Sequence, residues 1–117
     1  GFEVAGMVGA FIGGMTHRIP IVIDGVISAV AALVALRICP ESGEFMLASH
    51  MSREPAGRLV MDALGLEPVI DAGMALGEGT GAVMLFPLLD MVHKVYCGTH
   101  TFDDLGMDAY TPQGEKV

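Results

Sequence analysis

The sequence has 117 residues, 52% of them hydrophobic, and its 14 acidic and 6 basic residues give a formal net charge of −8. This length fits one domain at most, and so apolar a composition excludes an intrinsically disordered chain. Binding to nucleic acid or to an anionic membrane surface needs clustered cations, so the acidic excess argues against both partners. A net-negative domain can nevertheless bind an anion locally through backbone N–H groups.

The cysteines and the first residues of the chain indicate where the protein is expected in the cell. Cys39 and Cys97 are too few for a disulfide framework, which favours reduced thiols and a cytoplasmic protein. There is no signal-peptide pattern and no initiator Met, so we expect a piece of a longer protein. The apolar run 19–36 reaches the lower limit for a membrane span, but Asp24 and Gly25 interrupt it. We therefore predict a buried strand and helix there.

The first half of the chain alternates helix and strand. Apolar residues at helical spacing predict a helix over residues 3–18, whose several glycines require a closely packed neighbour. The β-branched run 19–23 predicts a buried strand. Asp24 and Gly25 then form a turn into an apolar helix over residues 26–38, which stops before Pro40.

The second half continues this alternation. Residues 44–49 predict a strand and residues 50–53 a loop, with Ser52 as the N-cap of a helix that has Pro55 in its first turn and ends at residues 64–65. Residues 66–73 predict a weaker strand. The glycine-rich turn 76–81 leads into a helix over residues 81–96, which Pro87 should kink or break. We expect the polar tail from residue 98 onward to wrap loosely.

Helices that alternate with short apolar strands, without hairpin turns, predict an α/β fold with a parallel sheet. We expect residues 1–97 to be part of one large α/β domain and residues 98–117 to be a C-terminal tail. So few strands would leave a sheet edge and several helix faces uncovered, which again implies further sequence or a partner chain.

The strongest local signal is the segment GEGTGA at residues 77–82. Its alternating glycines let backbone N–H groups approach a ligand at a helix start, where the helix dipole favours an anion. Glu78 in this turn is either a general base or simply a helix cap. The same glycines fit a dinucleotide-binding fingerprint with Asp103 as its acidic residue, although no convincing strand precedes Asp103.

A second candidate is the segment SHMSREP at residues 49–55, where a strand leads into a helix N-terminus. α/β proteins commonly bind phosphate at such a point. Ser52 can donate to a phosphate oxygen while Arg53 or Arg58 supplies positive charge. Alternatively, Ser52 only caps the helix and the arginines are solvated. Asp24, at the end of the first strand, is either an active-site carboxylate or a turn former.

No metal site and no cofactor is predicted. The three candidate metal ligands are His93, Cys97 and His100. Their spacing matches no zinc template, and the sequence offers no fourth ligand.

Five motifs together carry a family resemblance. In chain order they are RIPIVIDG (18–25), ASHMSREP (48–55), LGLEP (64–68), LGEGTGA (76–82) and TF (101–102). In that order and at those spacings they resemble the C-terminal third of the nicotinate-nucleotide–dimethylbenzimidazole phosphoribosyltransferase family. The resemblance covers residues 1 to about 106. Each motif alone is weak, whereas the combination is specific.

The resemblance implies an enzyme that moves the phosphoribosyl group of nicotinate mononucleotide onto 5,6-dimethylbenzimidazole, for the lower nucleotide loop of cobalamin. It implies that Glu78 is the catalytic base. The substrate-binding residues expected from the same motifs are Ser52, Leu76, Gly77, Gly79, Asp24 and His50. Enzymes of the family are homodimers with a Rossmann-like, three-layer large domain, and the transfer needs no metal.

The sequence departs from the family in two respects. Ala75 stands where the family usually has Arg, which removes a charge from that position. The family's N-terminal two thirds, which supplies much of the benzimidazole pocket, is absent. The alternative function is a non-catalytic α/β module that binds a nucleotide or assembles with a partner chain. A cleft in which Glu78 faces Ser52 would favour the transferase, whereas a buried, capped Glu78 without a cleft would favour the module.

Overall fold

A computed structural model of the chain describes residues 1–108, so the end of the predicted tail, residues 109–117, lies outside the described residues. The helices are α1 (Phe2–His17), α2 (Val26–Ile38), a 3₁₀ helix (Pro40–Phe45), α3 (Pro55–Leu64) and α4 (Thr80–Gly98). The strands are β1 (Ile21–Ile23), β2 (Met46–Ala48), β3 (His50–Ser52) and β4 (Ile70–Met74). Helices and strands alternate as predicted, and the α/β class is confirmed.

All strand pairs are parallel within the described residues. β1 pairs with β2, and β3 pairs with β4. Only Ser49 separates β2 from β3, and it continues the strand direction. Its N–H donates to the carbonyl of Ile23 at 3.2 Å, and its carbonyl accepts from the N–H of Ile70 at 3.0 Å. The chain therefore changes partner at Ser49, from β1 in one two-stranded sheet to β4 in a second. Both pairs are parallel, so β1, β3 and β4 run in the same direction.

The core of the first compact unit, Gly1–Pro87, lies around α2. The buried side of this helix is made of small residues, which let α1 and α3 approach it closely: Ala29, Ala31, Ala32 and Ala35. The side chain of Ile23 in β1 is fully buried in the same core. Larger apolar residues of α2 stay exposed, among them Ile27 and Ile38. The apolar helix predicted over residues 26–38 is thus confirmed, with bulky apolar side chains on its exposed side.

Two predicted elements were wrong in part. Residues 50–53 were expected to be a loop, but His50–Ser52 is a strand, because β4 provides a parallel partner that the local sequence does not reveal. The strand predicted over residues 44–49 is preceded by a 3₁₀ helix and narrows to Met46–Ala48. Long-range hydrogen bonds to β4 account for the first difference, and the local hydrogen bonds of the 3₁₀ helix account for the second.

The sequence predicted Ser52 as the N-cap of α3, and this prediction was wrong. Glu54 occupies that position and makes no side-chain cap bond. The Ser52 hydroxyl instead accepts a hydrogen bond from the N–H of Glu54 at 3.2 Å. Since the hydroxyl oxygen is the acceptor in this bond, its own hydrogen stays available to a ligand.

The helix after the glycine-rich turn continues through Pro87 as the single element α4. A kink or break was expected there, and the boundary between the two compact units of the chain falls directly after Pro87. The second unit begins at Leu88. Its helical residues carry an exposed apolar group: Met91, Val92, Val95 and Tyr96.

The close neighbour that the glycines of α1 were expected to require exists at Gly14. A Cβ atom there would lie 2.5 Å from Cγ1 of Ile21 and 2.8 Å from the carbonyl oxygen of Ile19. At Gly9, in the same helix, a Cβ atom would meet nothing within 4 Å. The helix therefore approaches β1 closely at Gly14 and not at Gly9.

We expect Gly14→Ala to lower the free energy of unfolding by about 1–3 kcal/mol, because the new methyl group overpacks against the backbone carbonyl of Ile19 and the side chain of Ile21. Gly9→Ala is the matched control, and it should raise stability by roughly 0.5–1 kcal/mol through helix propensity alone. Urea unfolding curves of the two variants measure this difference. Equal midpoints for the two variants would contradict the close approach at Gly14.

Candidate functional site

One cavity lies where β1, β3 and β4 end. Its volume is about 390 Å³. Parallel strands present their carboxyl ends at one edge, and open α/β sheets bind ligands there. The cavity is lined by the expected base and by the six expected substrate-binding residues, namely Glu78, Asp24, His50, Ser52, Leu76, Gly77 and Gly79. The structure thus brings the predicted residues together, while the role of each stays a prediction.

The glycine-rich turn forms one wall of this cavity. Glu78 has a φ of 62° and Gly79 a φ of 80°, so two successive residues adopt the left-handed conformation. For a residue with a Cβ atom this conformation costs roughly 1–2 kcal/mol. The Thr80 hydroxyl closes the turn by donating to the carbonyl of Gly77 at 3.0 Å. Glu78 is exposed and lines the cavity, and the helix α4 begins two residues later, at Thr80.

Asp24 reaches this turn from the end of β1. Its Oδ2 accepts a hydrogen bond from the N–H of Gly79 at 3.1 Å, and its Oδ1 accepts one from the N–H of Ala82 at 3.0 Å. Its own N–H donates to the hydroxyl of Ser28 at 3.0 Å, and that hydroxyl donates to the carbonyl of Gly25 at 2.8 Å. The half-buried carboxylate of Asp24 therefore connects the first strand to the start of α4.

His50 forms the floor between these elements and is almost fully buried, with 2% of its surface exposed. The Ser49 hydroxyl donates to the carbonyl of Ile23 at 2.6 Å and lies 3.1 Å from Nδ1 of His50. Since the single hydroxyl hydrogen is used by Ile23, Nδ1 must carry a hydrogen and donate it to Ser49. In the neutral imidazole, Nε2 is then the acceptor atom.

Gly81 packs directly on this imidazole. A Cβ atom at Gly81 would overlap the His50 ring. The absence of a side chain at Gly81 is therefore what lets the start of α4 lie against the end of β2 and the start of β3. The third glycine of the turn serves packing, whereas the other two serve the backbone conformation and the cavity wall.

The two arginines proposed to balance a phosphate charge do not reach the cavity. Arg53 and Arg58 are exposed, and neither lines it. Met7 and the start of α2 do line it, although no sequence motif included them, and Glu54 lines it as a motif residue to which no role was given. Ser52 was selected because a strand leads into a helix N-terminus there. The strand β1 leads into α2 in the same way, so the same pattern could have pointed to the start of α2.

Within residues 1–108, Asp103 lacks the preceding strand that a dinucleotide site requires. The chain before it is the helix α4, which ends at Gly98, and residues 102–106 form turns. In the part of the chain that the structure describes, no group of three or more His, Cys, Asp or Glu residues could hold a metal ion. Of the helices over residues 1–108, none is long and apolar enough to cross a membrane.

The cysteines form no disulfide: Cys39 and Cys97 are both free thiols. A hydrogen bond to the Glu41 carboxylate, with Sγ and Oε2 3.3 Å apart, raises the pKa of the Cys39 thiol. A raised pKa lowers the thiolate fraction and with it the reactivity of the sulfur.

Comparison with known proteins places this chain in a family. The DBI_PRT family model, described as phosphoribosyltransferase, matches residues 1–107. The nicotinate-nucleotide–dimethylbenzimidazole phosphoribosyltransferase of Acetivibrio thermocellus is 48% identical over 113 residues, which are 97% of this chain and 32% of that protein. The enzyme of the same name from Clostridium acetobutylicum is 46% identical over 112 residues, or 96% of this chain and 32% of that protein.

A solved structure agrees with these relatives. The crystal structure of CobT from Thermus thermophilus superimposes with a TM-score of 0.82 and 37% sequence identity, covering 92% of this chain and 32% of that one. The chain thus spans about a third of the length of the relatives it matches. On the match of the family model to nearly all of its described residues, the chain belongs to the DBI_PRT phosphoribosyltransferase family.

Proposed function

We propose that the chain is part of an enzyme that transfers the phosphoribosyl group of nicotinate mononucleotide to 5,6-dimethylbenzimidazole. The products are α-ribazole 5′-phosphate and nicotinate, and the reaction serves the nucleotide loop of cobalamin. The observation that carries the proposal is the exposed Glu78, which lies on one cavity with Ser52 at the carboxyl ends of parallel strands. The relatives' name, nicotinate-nucleotide–dimethylbenzimidazole phosphoribosyltransferase, supports the same substrates.

The reaction forms one C–N bond and breaks another. A benzimidazole nitrogen attacks C1′ of the ribose, and the bond from C1′ to the pyridinium nitrogen breaks, with its electron pair leaving on nicotinate. Attack opposite the leaving group converts a β-linked substrate into an α-linked product. The pyridinium leaves without being protonated, so the chemical tasks left to the protein are orientation and removal of one proton.

Glu78 is the residue we assign to that proton. Its carboxylate takes the N–H proton from the second nitrogen of the benzimidazole while the first nitrogen attacks. Glu78 lies in the left-handed turn, is exposed and lines the cavity. A positioned general base of this kind contributes on the order of 10²–10⁴-fold to the rate.

The phosphate of nicotinate mononucleotide is assigned to Ser52 and to the backbone of Leu76 and Gly77. The Ser52 hydroxyl accepts from Glu54 and keeps its hydrogen for a ligand. Within residues 1–108 no protein acceptor pairs with the N–H groups of Leu76 and Gly77. Donors of this kind hold a phosphate without a cation, which fits a cavity that Arg53 and Arg58 do not line. Gly79 and His50 complete the proposed substrate-binding wall.

The remaining expectations belong to the whole protein. We propose that residues 1–97 form part of its large α/β domain and that residues 98–117 form a C-terminal tail. The remaining two thirds of the relatives' length would supply the rest of the benzimidazole pocket. The enzyme would act as a homodimer in the cytoplasm, without nucleic acid or membrane as a partner.

We expect Ser52→Ala to raise the KM for nicotinate mononucleotide by about 10- to 100-fold with little change in kcat, because a hydrogen bond to a charged phosphate is lost. Thr16→Ala is the control, since that hydroxyl is exposed and only donates to the carbonyl of Ile12. Initial rates of nicotinate release in a full-length protein carrying this segment, measured over a range of nicotinate mononucleotide concentrations, give KM and kcat for both variants. The same rates measured with and without dimethylbenzimidazole test whether release is coupled to transfer. Release that does not depend on dimethylbenzimidazole would contradict the proposed transfer.

A further inference from the structure

The carboxylate of Asp24 makes contacts that a turn former at the end of β1 would not need. Both of its oxygens accept backbone hydrogen bonds, from Gly79 and Ala82, which lie 55 and 58 residues further along the chain. Gly79 follows Glu78 and precedes the first residue of α4, Thr80, and Ala82 lies in the first turn of that helix. A side chain of the first strand therefore holds the segment that carries the proposed base.

We propose that Asp24 is a positioning residue, which fixes the left-handed turn and so aims the Glu78 carboxylate at the proton it removes. This inference rests on the proposed function of Glu78. It replaces the direct substrate contact that the sequence suggested for Asp24. In this role Asp24 acts through the backbone of its neighbours and need not touch substrate, although its side chain borders the cavity.

The turn needs such a support because its conformation is unfavourable on its own. Glu78 has a positive φ of 62°, which a residue with a Cβ atom adopts only where its surroundings compensate. Asp24 supplies two charge-assisted hydrogen bonds, and its negative charge lies at the N-terminus of α4, where the helix dipole favours an anion.

Asp24 is itself held rigidly. It follows Ile23, which is fully buried, and its N–H is bound by Ser28, whose hydroxyl is in turn fixed by Gly25. Asp24 is thus fixed by the buried core, and through its hydrogen bonds it fixes the turn that carries Glu78. A displacement of about 1 Å in a reacting group can cost 10²-fold in rate, so this support bears directly on the catalytic step.

The first test is Asp24→Asn in a full-length protein that carries this segment. The amide keeps one acceptor oxygen and turns its nitrogen, a donor, toward the other backbone N–H. We expect kcat to fall about 10- to 100-fold while the KM for nicotinate mononucleotide changes less than about threefold. Asp62→Asn is the matched control, because Asp62 is exposed on α3 and does not line the cavity; it should leave both constants unchanged.

The second test separates positioning from a general structural role. If Asp24 acts through Glu78, adding Asp24→Asn to Glu78→Gln should lower kcat less than about threefold further, because the positioned group is already missing. Multiplicative losses in the double variant would overturn the proposal.

Amide hydrogen exchange gives a readout independent of activity: residues 77–82 should exchange about tenfold faster in Asp24→Asn, with the rest of the sheet unchanged. Faster exchange throughout the protein would overturn it as well.

Ser28→Ala provides a milder variant if Asp24→Asn does not fold. It keeps the carboxylate and removes only the group that fixes the Asp24 backbone, so kcat should fall about 2- to 10-fold with an unchanged KM. An unchanged kcat in both Ser28→Ala and Asp24→Asn, in a protein that forms product, would overturn the positioning role alone. A wild-type protein that forms no product would instead overturn the proposed function.

Discussion

Glu78→Gln is expected to lower kcat by about 10²–10⁴-fold, because Gln has the shape of Glu but cannot accept the benzimidazole proton. The KM for nicotinate mononucleotide should change less than about threefold, since the proton is removed from the other substrate. Steady-state rates with both substrates varied measure the two constants in a full-length protein carrying this segment.

The control for this variant is Glu67→Gln, which makes the same chemical change at an exposed residue that does not line the cavity. It should behave as wild type. A Glu78→Gln protein that binds nicotinate mononucleotide as poorly as it turns it over would count against the role of base. In that case Glu78 would belong to the binding wall.

Gly81→Ala is expected to damage both the fold and the site. Its methyl group would overlap the imidazole of His50, which is almost fully buried and hydrogen-bonded to Ser49 and cannot turn away freely. The free energy of unfolding should fall by about 1–3 kcal/mol. Displacement of the start of α4 should also lower kcat by about 10- to 100-fold, because Glu78 precedes it by only three residues. Thermal or urea unfolding and steady-state kinetics measure the two effects.

A second substitution identifies the clash as the cause. His50→Ala removes the ring that the methyl group meets, so the double variant should be more stable than the sum of the single losses predicts, by about 1 kcal/mol or more. Gly9→Ala is the control for the Gly to Ala change, because a Cβ atom there meets nothing within 4 Å. Additive losses for Gly81→Ala and His50→Ala would contradict the close packing of Gly81 on the ring.

The order of helices and strands could be predicted because the sequence marks their ends locally. The turn at Asp24 and Gly25 and the stop at Pro40 gave the bounds of α2, which the structure confirms at Val26–Ile38. Gly65 likewise ends α3 with a φ of 69°. β3 could not be predicted, because its residues form a strand only through hydrogen bonds to β4, which lies far along the chain.

The candidate residues of the site could be predicted from separate motifs, and the family resemblance joined them. Residues that follow parallel strands converge at the same end of those strands, which explains why Asp24, Ser52 and the glycine-rich turn line one cavity. Their partners could not be predicted. The bonds from Asp24 to Gly79 and Ala82 depend on side-chain geometry across two distant segments. Nor does the sequence reveal that Arg53 and Arg58 stay outside the cavity.

The product of the wild-type protein tests the central claim most directly. A full-length protein carrying this segment is incubated with nicotinate mononucleotide and 5,6-dimethylbenzimidazole, and the products are separated by chromatography and identified by NMR. We expect α-ribazole 5′-phosphate, with the α configuration at C1′, in an amount equal to the nicotinate released. A folded protein that yields neither compound would contradict a phosphoribosyl transfer and would favour a non-catalytic α/β module that keeps the fold of the family.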